Sequence, residues 1–151
     1  MTVPPDDKPS AQVTFELPQE NGWPPVAEET VLAEHLGEQK FRLASIPYFV
    51  RYLSLYDVVY AERLADHEWR GLGLCERSGH SAVRVLPHSD EIREQASAWL
   101  EQQGCTTQYH DDFGLVAVDI PTEIDTQQIL DFLFAQLDEE LLEFETGWLG
   151  E

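Results

Sequence analysis

Beyond Arg93 this 151-residue chain has no lysine and no arginine. Every formal charge in those last 58 residues is negative: Glu94, Glu101, Asp111, Asp112, Asp119, Glu123, Asp125, Asp131, Asp138, Glu139, Glu140, Glu143, Glu145 and Glu151. These 14 acids supply 14 of the 20 net negative charges, while the first 93 residues hold the other 15 acids and all 9 bases, a net of −6. Phosphate binding needs clustered Lys or Arg, so the imbalance argues against direct binding of DNA or RNA. It argues equally against anionic membrane surfaces. Cysteine is nearly lacking as well. Cys75 and Cys105 are the only two, too few for a disulfide scaffold, and a reducing cytoplasm is the expected setting. No apolar run approaches the ~18 residues that cross a bilayer. The N-terminus has neither the basic nor the apolar region of a secretory signal. There is no glycine-rich phosphate loop. Close Cys-x-x-Cys or His-Glu-x-x-His spacing is missing too, and the acidic turns lack the regular oxygen ligands of an EF-hand. Cys75, His80, His88, Cys105 and His110 are therefore read as dispersed ligand types, and no metal or cofactor is expected.

What is present suffices to fold. The apolar share is 42% and the aromatic share 11%, which argues against global disorder despite the charge. A chain of this length can bury roughly 68–70% of its unfolded surface. Residues 1–12 are rich in proline and charge and read as a disordered, solvated tail. Val13–Leu17 alternates apolar and polar, as a half-buried strand does. Asn21-Gly22-Trp23-Pro24-Pro25 is a rigid turn. Glu29–His35 and Lys40–Ile46 read as a hairpin around Gly37, and Leu55–Glu62 as a further strand. Trp69–Glu76 and Ser81–Leu86 flank Arg77-Ser78-Gly79-His80, which reads as a hairpin tip. Residues 13–86 thus form a small antiparallel β subdomain, barrel-like in its curvature.

The second half changes rhythm. Ile92, Ala96, Trp99 and Leu100 share one helical face. Ser89 or Asp90 caps that helix, and Gly104 ends it. Thr106–Tyr109 and Leu115–Ile120 read as strands. Asp125 with Gln128 resembles a capping box before a second, very apolar helix. Phe144–Leu149 reads as a last strand. From Ser81 on, the order is strand, helix, strand, strand, helix, strand. The expected fold class is α+β: the barrel-like half, then a ferredoxin-like (βαββαβ) half over residues 81–149, with the strand near 81–86 shared.

Five ordered segments carry a family likeness: Asn21-Gly22-Trp23-Pro24-Pro25-Val26, Ile46-Pro47-Tyr48-Phe49-Val50-Arg51, Leu55-Tyr56-Asp57-Val58-Val59, Ser78-Gly79-His80-Ser81-Ala82-Val83-Arg84-Val85 and Leu115-Val116-Ala117-Val118-Asp119-Ile120-Pro121. With them the chain resembles the bacterial family catalogued as domain of unknown function 4265. Tyr56 departs from the glycine that members often carry before Asp-Val-Val, which implies an altered turn. The resemblance implies a small bacterial protein and carries over no catalytic residues.

Three functions follow as expectations. The first is an acidic protein-binding module, in its sharpest form an immunity protein or antitoxin that blocks a basic, nuclease-like partner. Its contacts are Asp111, Asp112, Asp138, Glu139, Glu140, Glu143 and Glu145, with Leu141, Leu142 or Phe144 as apolar anchors. The second is a small enzyme or ligand-binding domain with Tyr48, Asp57, His80 and Arg84 around a site between the halves. The serines flanking His80 offer a nucleophile beside a base, although turn chemistry accounts for the same residue types. The third is a regulatory or scaffolding domain. Trp23, Tyr48, Phe49 and Tyr52 are expected in the seam between the halves.

Overall fold

The structure, a computed structural model, describes residues 10–66 and 68–150. The expected tail falls mostly on residues 1–9, outside the described residues. Strand β1 (Ser10–Glu16) begins ahead of the alternating run that announces it. It pairs antiparallel with β2 (Glu28–Gly37), which pairs with β3 (Lys40–Leu43). Then come β4 (Val58–Ala65) and β5 (Glu68–Glu76). These five strands close into a barrel. Closure runs through a parallel pairing of β1 with β5, Val13 opposite Trp69, so the barrel is not wholly antiparallel. Val13, Phe15, Val31, Phe41, Leu43, Val59 and Ala61 point inward and fill it.

The second sheet has the order β7-β8-β6-β9, with antiparallel neighbours throughout. It comprises β6 (Ser81–Pro87), β7 (Thr106–His110), β8 (Leu115–Ile120) and β9 (Leu142–Thr146). Helices α1 (Asp90–Gln102) and α2 (Thr126–Asp138) cover one face. Ala96 and Leu100 of α1 and Ile129 and Leu133 of α2 meet Val83, Val85, Val116, Val118 and Ile120 there. Ser89 caps α1 through the Ile92 N–H, and Asp125 caps α2 through the Gln127 N–H. The Gln128 side chain reaches Gln103 instead of returning to the cap, so the capping box is half made. The fold class is α+β.

The segment Arg77–His80 is not a hairpin tip, because β5 and β6 belong to different sheets. Gly79 takes φ +91° as a turn glycine does, but the turn hands the chain from barrel to sheet. The helix-free face of the sheet meets the barrel. Leu115 joins the barrel core, and Ala117 packs with Ile46 and Leu55. Both faces of β8 are covered, which is why all six of its residues are buried.

Candidate functional site

The expected ligand site separates into three places. Asp57 is fully buried and accepts from the Ser54 N–H at 2.9 Å and the Ser78 N–H at 2.7 Å. The Arg77 guanidinium lies 3.4 Å from the same carboxylate. Arg77 also donates to the Tyr52 carbonyl and sits 3.7 Å above the Trp148 ring. Asp57 therefore ties the barrel to the crossover and the C-terminal segment. His80 lies close by, with Nδ1 2.9 Å from the buried carboxylate of Asp119. Burial, the larger influence, pushes the Asp119 carboxyl above the ordinary aspartate value, while His80 pulls it down. The flanking hydroxyls are used elsewhere. Ser78 donates to the Leu55 carbonyl, and Ser81 accepts from the Gly150 N–H. Neither of these two hydroxyls is thus joined to the His80 ring. Tyr56, the departure from the family pattern, holds φ +69° and presents its ring edge-on to His80.

Tyr48 lies apart, lining a cleft of about 260 Å³ with Glu29 and His110. Glu29 accepts from three successive backbone N–H groups, those of Tyr48, Phe49 and Val50. Burial first, then Glu29 and Asp111, push the Tyr48 phenol up. Phe49 bridges the halves, edge-on to both Trp23 and Phe113. Tyr52 is exposed rather than in the seam.

Arg84 is the third place. It is 1% exposed, on the face of β6 that meets the barrel. Its Nε donates to Glu145 at 2.9 Å, and the far oxygen of Glu145 lies 3.7 Å from Arg51. The two terminal nitrogens of Arg84 are buried with no hydrogen-bond partner among the described residues. Arg84 is also among the residues lining a cleft of about 170 Å³ between Trp23 of the barrel loop and Leu86, Leu115 and Phe144 of the sheet. Glu143 and Glu145 complete its lining.

Six of the seven acids nominated for a partner do converge. The pairings of Pro87 with Leu142, and of Val85 with Val116, put three chain segments at one end of the sheet. They are the β7–β8 turn with Asp111 and Asp112, the start of α1 with Asp90 and Glu91, and the end of α2 with Asp138, Glu139, Glu140 and then Glu143. All are exposed. Glu145 instead turns into the seam against Arg84. Arg93 is the lysine-or-arginine member of this end, and it is engaged with Asp90 at 3.6 Å and over the Tyr109 ring at 4.2 Å. Leu142 is fully buried, so it cannot anchor a partner; Phe134 and Leu137, 51% and 37% exposed, stand beside the acids on α2.

The acids sit at the wrong end of α2. Its first turn has no acid and its last turn no base. Asp138, Glu139 and Glu140 crowd the C-terminus, where the helix dipole is negative and each like charge costs about 0.3–1 kcal/mol. Glu140 also holds φ +61°, the left-handed position after a helix that glycine fills best. Glu140→Gly is accordingly expected to raise stability by about 1 kcal/mol, read as a higher urea midpoint with an unchanged slope.

His88 responds to this charge. The Glu140 carbonyl at 2.7 Å, first, and the Glu143 carboxylate at 3.1 Å raise its pKa above the ordinary histidine value. A raised folded pKa favours the fold at low pH, and that contribution is lost as pH rises through the folded value. NMR titration of the imidazole is expected to show the raised pKa, and Glu143→Gln is expected to lower it.

Among the described residues no three His, Cys, Asp or Glu group to hold an ion. Both cysteines are free, and burial pushes the Cys105 thiol up to about 11. Among the described residues no helix is long and apolar enough to cross a membrane.

No curated protein matches the chain. A crystal structure of a hypothetical protein from Neisseria gonorrhoeae is similar in fold, with a TM-score of 0.73 at 18% identity, covering 95% of this chain and 96% of that one. The profile of the family described as domain of unknown function (DUF4265) matches residues 29–144. With most of the chain inside that match, the protein belongs to the DUF4265 family.

Proposed function

We propose that the protein is an acidic protein-binding module of the reducing cytoplasm. Its acidic end docks on a basic groove of a partner, as an immunity protein or antitoxin blocks a nuclease-type toxin. The observation that carries this reading is the crowding of Asp138, Glu139 and Glu140 at the C-terminus of α2. Charge placed against the helix dipole, with Glu140 in a left-handed backbone, lowers stability, and such local conflicts concentrate where function outweighs stability. Asp111, Asp112 and Glu143 extend the field, and exposed Phe134 and Leu137 supply apolar anchor points. Nuclease grooves are basic because they bind phosphate, so an acidic surface complements them. The order β7-β8-β6-β9 with both helices on one face supports reading the second half as ferredoxin-like. In that reading the acidic end is where two strand–helix junctions and one tight turn meet, so acids far apart in sequence act together.

An NMR titration with an oligolysine peptide tests the surface directly. Shifts are expected at the amides of Asp111, Asp112 and Asp138–Glu143, fading as salt rises. Equal shifts at barrel acids such as Glu16, Glu62 and Glu68 would reduce the charge to a general solubility feature.

A further inference from the structure

We infer that the open edge of β9 takes up an extended segment of a basic partner as an added antiparallel strand. This deepens the protein-binding reading, on which it rests, by naming the form of the segment that docks. In the order β7-β8-β6-β9, β9 has β6 as its one neighbour. The register fixes which of its backbone groups β6 uses. His88 donates its N–H to the Leu141 carbonyl, and Gly147 donates to the Ala82 carbonyl. With regular pairing between those two bonds, Arg84 with Glu145 and Leu86 with Glu143 are the hydrogen-bonded pairs. Leu142, Phe144 and Thr146 therefore aim their N–H and carbonyl groups away from β6, at the outer side of β9. Leu142 is buried, whereas Phe144 is partly exposed and Thr146 exposed. Among the described residues no hydrogen bond from outside the sheet occupies the main chain of Phe144 or Thr146. Unpaired strand groups of this kind are a template for a further strand.

The side chains define the strand that fits. Glu143 and Glu145 share the face of Arg84, with side chains 65% and 38% exposed. Phe144 points to the helix side, where Phe134 of α2 lies edge-on to it at 5.0 Å. A strand laid along this edge sets alternate residues opposite the two glutamates and the intervening ones beside Phe144 and Phe134. Lysine or arginine alternating with apolar residues matches both rows. A second copy of β9 does not. Paired about Phe144 or about Glu145, it would bring glutamate against glutamate, and like charges directly opposite are destabilising. The same acids guard the edge against other acidic strands, as charge on edge strands commonly does, and leave it open to a basic one.

NMR titration of the full chain with the capped peptide acetyl-Lys-Val-Lys-Val-Lys-amide is the test. Saturable shifts are expected at the Phe144 and Thr146 amides, with slower hydrogen exchange at both as they gain acceptors. The same peptide N-methylated at both valines keeps its charge but loses the N–H groups that face β9. It is expected to bind at least about tenfold more weakly. A peptide with glutamate in place of lysine is expected not to bind. Thr146→Pro removes an N–H that β6 does not use, a change that an edge strand tolerates. It is expected to weaken the lysine peptide about tenfold while the oligolysine response at Asp138–Glu140 stays unchanged. Should that variant fail to fold, the N-methylated peptide decides the matter on the wild type. Binding unaffected by N-methylation, or shifts at Asp138–Glu140 without protection at Phe144 and Thr146, would overturn strand addition and leave the acidic surface standing. No binding of the lysine peptide would overturn it too. Equal binding of the glutamate peptide would overturn the basic occupant. So would self-association of the protein that Thr146→Pro abolishes, which would assign the edge to a second copy.

Discussion

Asp57→Ala is expected to destabilise the fold by about 2–5 kcal/mol, because two backbone N–H groups each lose a charged acceptor and such losses cost ~1–3 kcal/mol apiece. The two are those of Ser54 and Ser78. Ser54 is fully buried, so water cannot replace the carboxylate there. Arg77 loses its ion-pair partner as well. It is partly exposed and still holds the Tyr52 carbonyl and the Trp148 ring, so it contributes less to the loss. Asp57→Asn separates packing from hydrogen bonding. The amide keeps the volume and one acceptor oxygen, but it turns an N–H against one of the two donors. An intermediate loss is expected from Asn, and a larger one from Ala. Urea unfolding followed by tryptophan fluorescence reads both. A loss under about 1 kcal/mol from Ala would mean that the crossover is held chiefly by something else, since surface-like changes fall in that range.

The second large effect concerns association. Asp138→Lys, Glu139→Lys and Glu140→Lys combined reverse the sign of charge at the end of α2. For a basic partner, the association rate at low salt is expected to fall about 10- to 10³-fold, the span over which electrostatic steering acts. The dependence of the rate on salt should flatten with it. The fold should not suffer, since the dipole at that terminus then faces cations. Stopped-flow association at several salt concentrations measures this. A triple variant that associates as fast as the wild type would remove α2 from the interface.

Parts of this arrangement are legible in the chain and parts are not, for physical reasons. Alternation in Val13–Leu17 marks β1 because one face of that strand is buried and the other is wet. Ser89 and Asp125 announce their helices because a cap is a local interaction between neighbours in sequence. The apolar excess of α2 is visible too, but not which of its residues face out. Phe134 and Leu137 look no different in sequence from the buried Leu133. The crossover is misread because a serine-glycine turn signal is the same whether the next strand returns beside the last or leaves for another sheet. What decides it is Asp57 taking the Ser78 N–H from 21 residues away. The parallel closure of β1 on β5 is invisible for a like reason. Register between distant strands leaves no local trace.

The site shows the same division. The count of acids after Arg93 is plain in the sequence, but their convergence depends on which ends of β6, β8 and β9 lie together. Arg84 and His80 stand out as candidates in the chain. Their partners Glu145 and Asp119, 61 and 39 residues away, do not. Trp23 belongs to a turn by composition and to the Arg84 cleft only by folding. Glu140 carries the least visible signal, a left-handed backbone at a residue whose side chain disfavours it.

The most direct test of the protein-binding function is a paired pull-down from the native host's lysate. Wild-type bait is compared with the Asp138, Glu139 and Glu140 lysine variant, from ~50 mM to ~1 M salt, a range that shortens the Debye length from well over 10 Å to about 3 Å. A single basic protein held stoichiometrically by the wild type into high salt, and missing from the variant, is the expected result. No stoichiometric partner, or the same protein retained equally by both baits, would contradict the role assigned to the acidic end.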